Sequence, residues 1–395
     1  MILALLSSCT TEPGATSVCL LTTEAEAGVV AIQLEGTPGL LEAELRFPAS
    51  PTSPLPVVVQ VFGGWDDEVS VDAVGLREAL ALRFALSGPE WAGGERDLRG
   101  PVARSAVAAA MAYAHGDTTD AEGCRLAERV PDVDSSALIL LGLSNGGNLA
   151  LATLADATLS IAEPVAVILW ETPVGAQLIN IEHRNASKLY TKGNCQLDGS
   201  GLHCPFADAG QLNEDGNLCF DTDGDGLCSA DEAARTPLTD PLTGRLATSA
   251  ELVAAALALG PRPEGWDTEA EGTAFWADRD ALLAAPSVVT RFPDLALMIL
   301  ASETDHVLGG LSDHPHVYAL GETLQTAGAR WLRLNPGTRW SGQPQENAIG
   351  LRLQLDTPEG WLYSELAEEP LAGPIDAAVA ELAWRHDSAD WVTEW

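Results

Sequence analysis

Five apolar runs punctuate the chain: "PVVVQVF" (56–62), "ALILLGL" (137–143), "PVAVILW" (164–170), "LALMILA" (295–301) and "ARWLRLN" (329–335). They lack regular alternation with polar residues, so each reads as a strand covered on both faces, as in parallel sheets. Helical patterns lie between them. "GPVARSAVAAAMAYA" (100–114) is alanine-rich with a proline near its start, and "GNLALATLADA" (147–157) follows the second run. "HPHVYALGETLQTAG" (314–328) has Asp313 as its N-cap and Gly328 as its stop. Strand and helix in alternation predict an α/β protein with a doubly wound, mostly parallel sheet. Before residue 56, "GVVAIQLEG" and "LLEAELRFPA" predict an antiparallel opening pair.

The alternation breaks after Trp170. Residues 176–292 hold a Cys- and Gly-rich acidic stretch (193–232) and two helix candidates, 248–260 and 272–286. This reads as an insertion or cap between two strands of the sheet. The expected layout is a leading segment 1–27, a core in two parts, 28–175 and 293–395, and the insertion 176–292 between them. The tail after Trp340 is Trp-rich and acidic, with an alternating run "IGLRLQL" and a helix near 375–386.

At 395 residues and 46% hydrophobic content, the chain can bury a large core. Its 57 Asp and Glu against 21 Lys and Arg leave a net charge of −36. Lys188 and Lys192 are the only lysines. Such a chain repels phosphate backbones and anionic lipid heads, which sets nucleic-acid binding aside.

Between the second strand and its helix stands "GLSNGG" (142–147), which fits G-x-S-x-G. A nucleophilic serine needs a sharp strand-to-helix turn, small neighbours that let the turn close, and a following N–H aimed at the developing oxyanion. Ser144 would be the nucleophile and Asn145 the donor, aided by the helix N-terminus. With a buried strand before and an apolar helix after, the chain here resembles the α/β-hydrolase superfamily, over most of its length outside the insertion. The resemblance implies a serine esterase or peptidase. "VVVQVFGGW" (57–65) is similar to the strand and oxyanion loop, with Gly64 or Trp65 supplying the second N–H; Phe62 stands where the "HGG" form has histidine. "ILASETDHV" (299–307) is similar to the strand and loop that carry the acid, which implies Asp305, with Glu303 behind it.

The base departs from the family pattern. The loop after the last strand, "NPGTRWSGQ" (335–343), contains no histidine. Of the seven histidines, His115 ends a helix in the first half and His203 lies in the Cys-rich stretch. His183 faces the site only if the insertion folds back, and His386 closes a helix whose end lies at the wrong edge of the sheet. His306 adjoins Asp305, and neighbouring side chains diverge. His316 and then His314 are favoured, because both follow the strand of Asp305 at its carboxyl edge, where ligands bind in such sheets.

Inside the insertion, "DTDGDGLCSADE" (221–232) matches D-x-[DN]-x-[DN]-G-x5-E. Asp221, Asp223 and Asp225 would supply carboxylates to calcium, Leu227 a backbone carbonyl, Ser229 a direct or water-mediated oxygen, and Glu232 a bidentate closure. No regular helix precedes it, so it resembles the single calcium loops of dockerin and thrombospondin-type repeats rather than a paired sensor. Its expected role is bracing, not chemistry.

"LLSSC" (5–9) resembles a bacterial lipoprotein cleavage box, which implies a lipid anchor on Cys9. The six other cysteines then suit disulfides in an oxidising compartment. The expectation is an exported hydrolase acting on a small-molecule or peptide substrate. The rival reading is a non-catalytic, calcium-dependent surface binding protein on the same scaffold.

Overall fold

The structure is a computed structural model. It describes residues 19, 29–35, 40–48, 54–64, 76, 79–86, 97–130, 132–175, 196–199, 201–203, 210–212, 218–220, 245, 265, 268–300, 315–334 and 372–391. In chain order the elements begin with β1 (Val29–Glu35), β2 (Leu40–Arg46), β3 (Leu55–Val61), β4 (Leu80–Phe84), α1 (Pro101–His115) and α2 (Leu126–Arg129). They continue with β5 (Val133–Leu143), α3 (Asn145–Ala155), β6 (Ala166–Trp170) and two small hairpins. These are β7 (Gln196–Asp198) with β8 (Gly201–His203), and β9 (Gly210–Leu212) with β10 (Leu218–Phe220). The last elements are α4 (Glu269–Ala277), α5 (Ala281–Arg291), β11 (Ala296–Leu300), α6 (Pro315–Thr326), β12 (Trp331–Leu334) and α7 (Ala372–Ser388).

Among the described residues, eight strands form one sheet in the order β1-β2-β4-β3-β5-β6-β11-β12. The β1–β2 and β2–β4 pairs are antiparallel; from β4 to β12 every pairing is parallel. A mostly parallel eight-stranded sheet with flanking helices fits the α/β-hydrolase fold.

Both faces of the central strands are covered, and successive residues alternate between two cores. Val57, Val59 and Val61 of β3, Leu138 and Leu140 of β5, and Val167 and Leu169 of β6 join α1, α3, α5 and α6 on one face. Val58, Ile139, Leu141, Ile168 and Trp170 join Ile375, Val379 and Leu382 of α7 on the other. Burial on both sides is why these strands read as unbroken apolar runs. α7 is fastened by charge as well: Arg333 of β12 and Arg385 both donate to Glu381. Burial raises the Glu381 carboxyl, but the bonds and charge of Arg333 and Arg385 outweigh it and hold the group below its ordinary value.

β4 and the helix over 272–286 differ from the sequence expectation, as do the short elements α2 and β7 to β10, which it did not name. β4 was not anticipated, because leucine and alanine are strong helix formers and Arg83 interrupts the run. Arg83 is buried in a strand because it meets its cross-strand partner Glu44 at 3.0 Å. The single helix expected over 272–286 is two. It breaks at 278–280, where Asp280 caps α5 by accepting the Leu282 N–H at 2.9 Å, and Pro286 lies inside α5. α5, within the stretch 176–292, packs into the same core as α3.

A disulfide joins Cys19 to Cys124, 105 residues apart. Cys124 sits in the turn after α1, where Asp120 accepts the backbone N–H groups of Glu122 and Cys124, each at 3.0 Å, and pairs with Arg129 at 2.7 Å.

Candidate active site

The carboxyl ends of β3 and β5 meet at the point where the chain's crossovers diverge, toward β4 on one side and β6 on the other. Such a point opens a crevice at a parallel sheet's edge. Two turns enter it: Phe62-Gly63-Gly64 after β3, and Ser144 after β5.

Ser144 carries φ 51° and ψ −126°, a backbone conformation that a side chain disfavours. The neighbours hold it there. Its N–H donates to Trp170 O at 2.7 Å, extending the β5–β6 ladder one residue past Leu143, and its carbonyl accepts the Gly147 N–H at 2.9 Å. Ser144 is the N-cap residue of α3, yet its side chain makes no capping bond, so the hydroxyl is not spent on the helix. The N–H of Asn145, first residue of α3, is among the helix donors that have no intrahelical acceptor.

The glycines permit this closeness. A Cβ on Gly142 would lie 2.4 Å from Gly147 Cα, one on Gly146 2.0 Å from Val61 O, and one on Gly147 2.0 Å from Thr172 Oγ1. A Cβ on Gly63 would lie 2.8 Å from Ser144 Cβ and 3.4 Å from Ser144 Oγ, so only glycine leaves room for the Ser144 side chain beside this turn.

Polar side chains fix the two turns to each other. Asn145 Nδ2 donates to Gly64 O at 2.9 Å, and Asn145 Oδ1 accepts from Asn148 Nδ2 at 3.2 Å. Asn148 Nδ2 also donates to Pro173 O at 2.6 Å, while its Oδ1 accepts the Ala281 N–H at 2.8 Å. The chain of bonds runs from the β3 turn through α3 to the segment after β6 and the start of α5. On the other side, Arg99 Nη2 donates to Gly63 O at 2.7 Å.

Beyond β6, Glu171 is fully buried with a left-handed φ of 43°, and its N–H donates to Leu300 O at 2.7 Å. Its place is thus the junction of β6 and β11, at the same edge as Ser144. Asp280 also reaches this segment, accepting the Gly175 N–H at 3.0 Å. Burial pushes its carboxyl up to about 6, against the opposing pull of the Leu282 and Gly175 N–H groups. Below pH 3.8, the ordinary value, both folded and unfolded chains hold the proton; between there and pH 6 only the folded chain does. The contribution to stability is therefore complete in acid and is lost as pH rises through 6. The wild type's unfolding free energy, relative to Asp280→Asn, should fall by on the order of 3 kcal/mol between those limits. Urea midpoints at pH 4, 5, 6 and 7 read this directly, and a flat difference contradicts it.

The structure brings Gly63, Gly64, Ser144 and Asn145 together. His316 is fully buried in the first turn of α6, the helix that follows β11. His314, Asp305, Glu303, His306, Trp65 and the calcium residues Asp221, Asp223, Asp225, Leu227, Ser229 and Glu232 lie outside the described residues. His386 is at the far edge: its Nε2 is 3.3 Å from Ser136 Oγ, near the start of β5 and roughly 25 Å from Ser144 at strand rise. His115 is half-exposed and pairs with Asp117. Sequence reading missed Arg99, Asn148 and Arg279. For Arg99 there was a signal, an arginine just ahead of a proline-initiated helix in a chain poor in cations.

No family model matches the sequence. No curated protein matches it either. Among solved structures, a carboxyl esterase from Tuber melanosporum shares 13% identity at a TM-score of 0.42, covering 93% of this chain and 91% of that one. An esterase from Pseudomonas putida shares 14% at a TM-score of 0.42, covering 95% and 86%. An acylaminoacyl peptidase from Pyrococcus horikoshii shares 9% at a TM-score of 0.41, covering 94% of this chain and 43% of that one.

Proposed function

We propose that the protein is a serine hydrolase that cleaves an ester or peptide bond through an acyl-enzyme on Ser144. The observation that carries this reading is the backbone of Ser144, held at φ 51° between a buried strand and a helix N-terminus with the Gly63-Gly64 turn packed against its side chain. Strain of this kind, over-determined by its surroundings, concentrates at reactive groups. Ser144 Oγ attacks the carbonyl carbon and its proton passes to a histidine, His316 or, failing that, His314. The N–H groups of Asn145 and Gly64 hold the oxyanion. The histidine then protonates the leaving alcohol or amine, and water repeats the sequence to release the acid. Asp305 orients the histidine.

The calcium loop of Asp221, Asp223, Asp225, Leu227, Ser229 and Glu232 braces the insertion and takes no part in the chemistry. Export, with a lipid on Cys9, is supported by the Cys19–Cys124 disulfide, since such bonds persist in oxidising compartments. No helix among the described residues is long and apolar enough to cross a membrane.

The test is labelling by a fluorophosphonate probe, wild type beside Ser144→Ala, with calcium and with chelator. Expected is labelling of the wild type alone, weakened by chelator only as far as the fold loosens. A folded wild type that never labels would favour the calcium-dependent binding protein, whose support is the loop 335–343 without histidine.

A further inference from the structure

Arg99 does a task that neither the nucleophile nor the base explains. It is almost completely buried, at 1% exposure, in a chain with 21 Lys and Arg against 57 acids. Burying a guanidinium is costly unless its donors are engaged. Nη2 donates to Gly63 O at 2.7 Å, and the guanidinium carbon lies 4.9 Å from the centroid of the Phe62 ring. Both contacts fall on the turn that borders Ser144 Oγ.

The backbone that delivers Arg99 is itself forced. Leu98 and Arg99 have φ 51° and 69°, consecutive left-handed residues and neither of them glycine. A second buried arginine secures them. Arg279 Nε donates to Leu98 O at 2.7 Å and Nη2 to Asp97 O at 2.8 Å. Arg279 in turn lies 3.7 Å over the Phe275 ring and donates to Phe275 O at 3.0 Å. The Asp97 carboxylate finishes the turn by accepting the N–H groups of Gly100 at 3.0 Å and Ala103 at 3.4 Å at the start of α1.

We propose that Arg99 is a positioning residue for the oxyanion donor, acting through the Gly63–Gly64 peptide. In a planar trans peptide the carbonyl and the following N–H point in opposite directions. A guanidinium clasped on Gly63 O therefore aims the Gly64 N–H away from itself. Gly64, at φ 70°, cannot set that direction alone, because glycine turns freely. Arg99 fixes the peptide plane before it, and Asn145 Nδ2, on Gly64 O, fixes the plane after it. The cation also polarises the peptide, so that its N–H becomes a stronger donor to an anion. The effect belongs to the transition state, where the oxyanion exists.

The inference rests on the acyl-enzyme reading, and its test separates the two. Wild type, Arg99→Lys and Arg99→Met are compared for p-nitrophenyl butyrate hydrolysis and for inhibition by an alkyl trifluoromethyl ketone, whose adduct carries an oxyanion. Fluorophosphonate labelling and thermal midpoints accompany them. Expected for Arg99→Met is a kcat lowered about 10²-fold with KM nearly unchanged, and ketone affinity lowered by the same factor as kcat/KM. Arg99→Lys keeps the cation without the fork and should lose about tenfold; it is the decisive variant if Arg99→Met does not fold. A wild type inert to fluorophosphonate overturns the acyl-enzyme reading and this inference with it. A wild type that labels, beside a folded variant with unchanged kcat and ketone affinity, overturns the inference alone. So does a loss confined to KM.

Discussion

Ser144→Gly should be inert and yet more stable than the wild type. At φ 51° and ψ −126° the Ser144 side chain crowds its own backbone, a cost of about 1–3 kcal/mol that glycine does not bear. Glycine gives part of this back through a more flexible unfolded chain. The net gain should be about 1 kcal/mol in denaturant unfolding. Hydrolysis should drop at least ~10⁴-fold, because the nucleophilic oxygen is gone. Ser144→Ala supplies the control. It removes the same oxygen but keeps Cβ, so it should be equally inert without the gain. The Gly-minus-Ala difference thus isolates backbone strain from chemistry. A glycine variant less stable than the alanine one would mean that the turn is relaxed.

Gly146→Ala should be among the most damaging single substitutions in the chain. Its Cβ would meet Val61 O at 2.0 Å and Phe62 O at 2.6 Å, and both are main-chain atoms. Val61 pairs with Gly142 in the middle of the sheet, so it cannot retreat alone. Either β3 and β5 part, or the Phe62–Gly64 turn swings away from Ser144. The first should cost more than about 4 kcal/mol and appear as a collapse of soluble yield or thermal midpoint. The second should appear as a folded protein that no longer labels. Gly147→Ala is the comparison, because there the two nearest atoms are Thr172 Oγ1 and Cγ2, both on a side chain. Thr172→Ala removes them and should partly rescue Gly147→Ala. No truncation can rescue Gly146→Ala. Wild-type stability and labelling in Gly146→Ala would show that the packing of the two turns is looser than described.

What the sequence disclosed, it disclosed through covering and crowding. Strands buried on both faces leave apolar runs, which is how β3, β5, β6, β11 and β12 were found. Close approach of main chains leaves glycines, which is how the turn at Ser144 was found. β4 left no such trace, since its Arg83 is buried beside a partner, Glu44, that is 39 residues away. The split between α4 and α5 turned on Asp280 acting as a cap rather than as an exposed helix residue. Arg99 and Asn148 were missed for a related reason. Each works through a carbonyl that is distant in sequence, and a carbonyl has no letter. Of the triad partners named from sequence, Asp305 and His314 lie outside the described residues, and His316 stands in the first turn of α6; which histidine faces which acid depends on three-dimensional approach, which spacing along the chain does not encode.

The turn around Asp120 has a bearing on crowded solutions. A sheet whose outer strand is bare invites foreign strands to add to it. Here Asp120 forms a bridge with Leu34, and the Ala121 N–H donates to Gln33 O at 2.7 Å, so part of the outer rim of β1 is already taken. Cys124, a few residues on in the same turn, is bonded to Cys19, ten residues before β1. Among the described residues the opposite rim is β12, a strand of four residues, and short edge strands template poorly. The β1 border of the sheet is thus a poor seed for self-association, and a reductant that frees Cys19 would loosen the guard there.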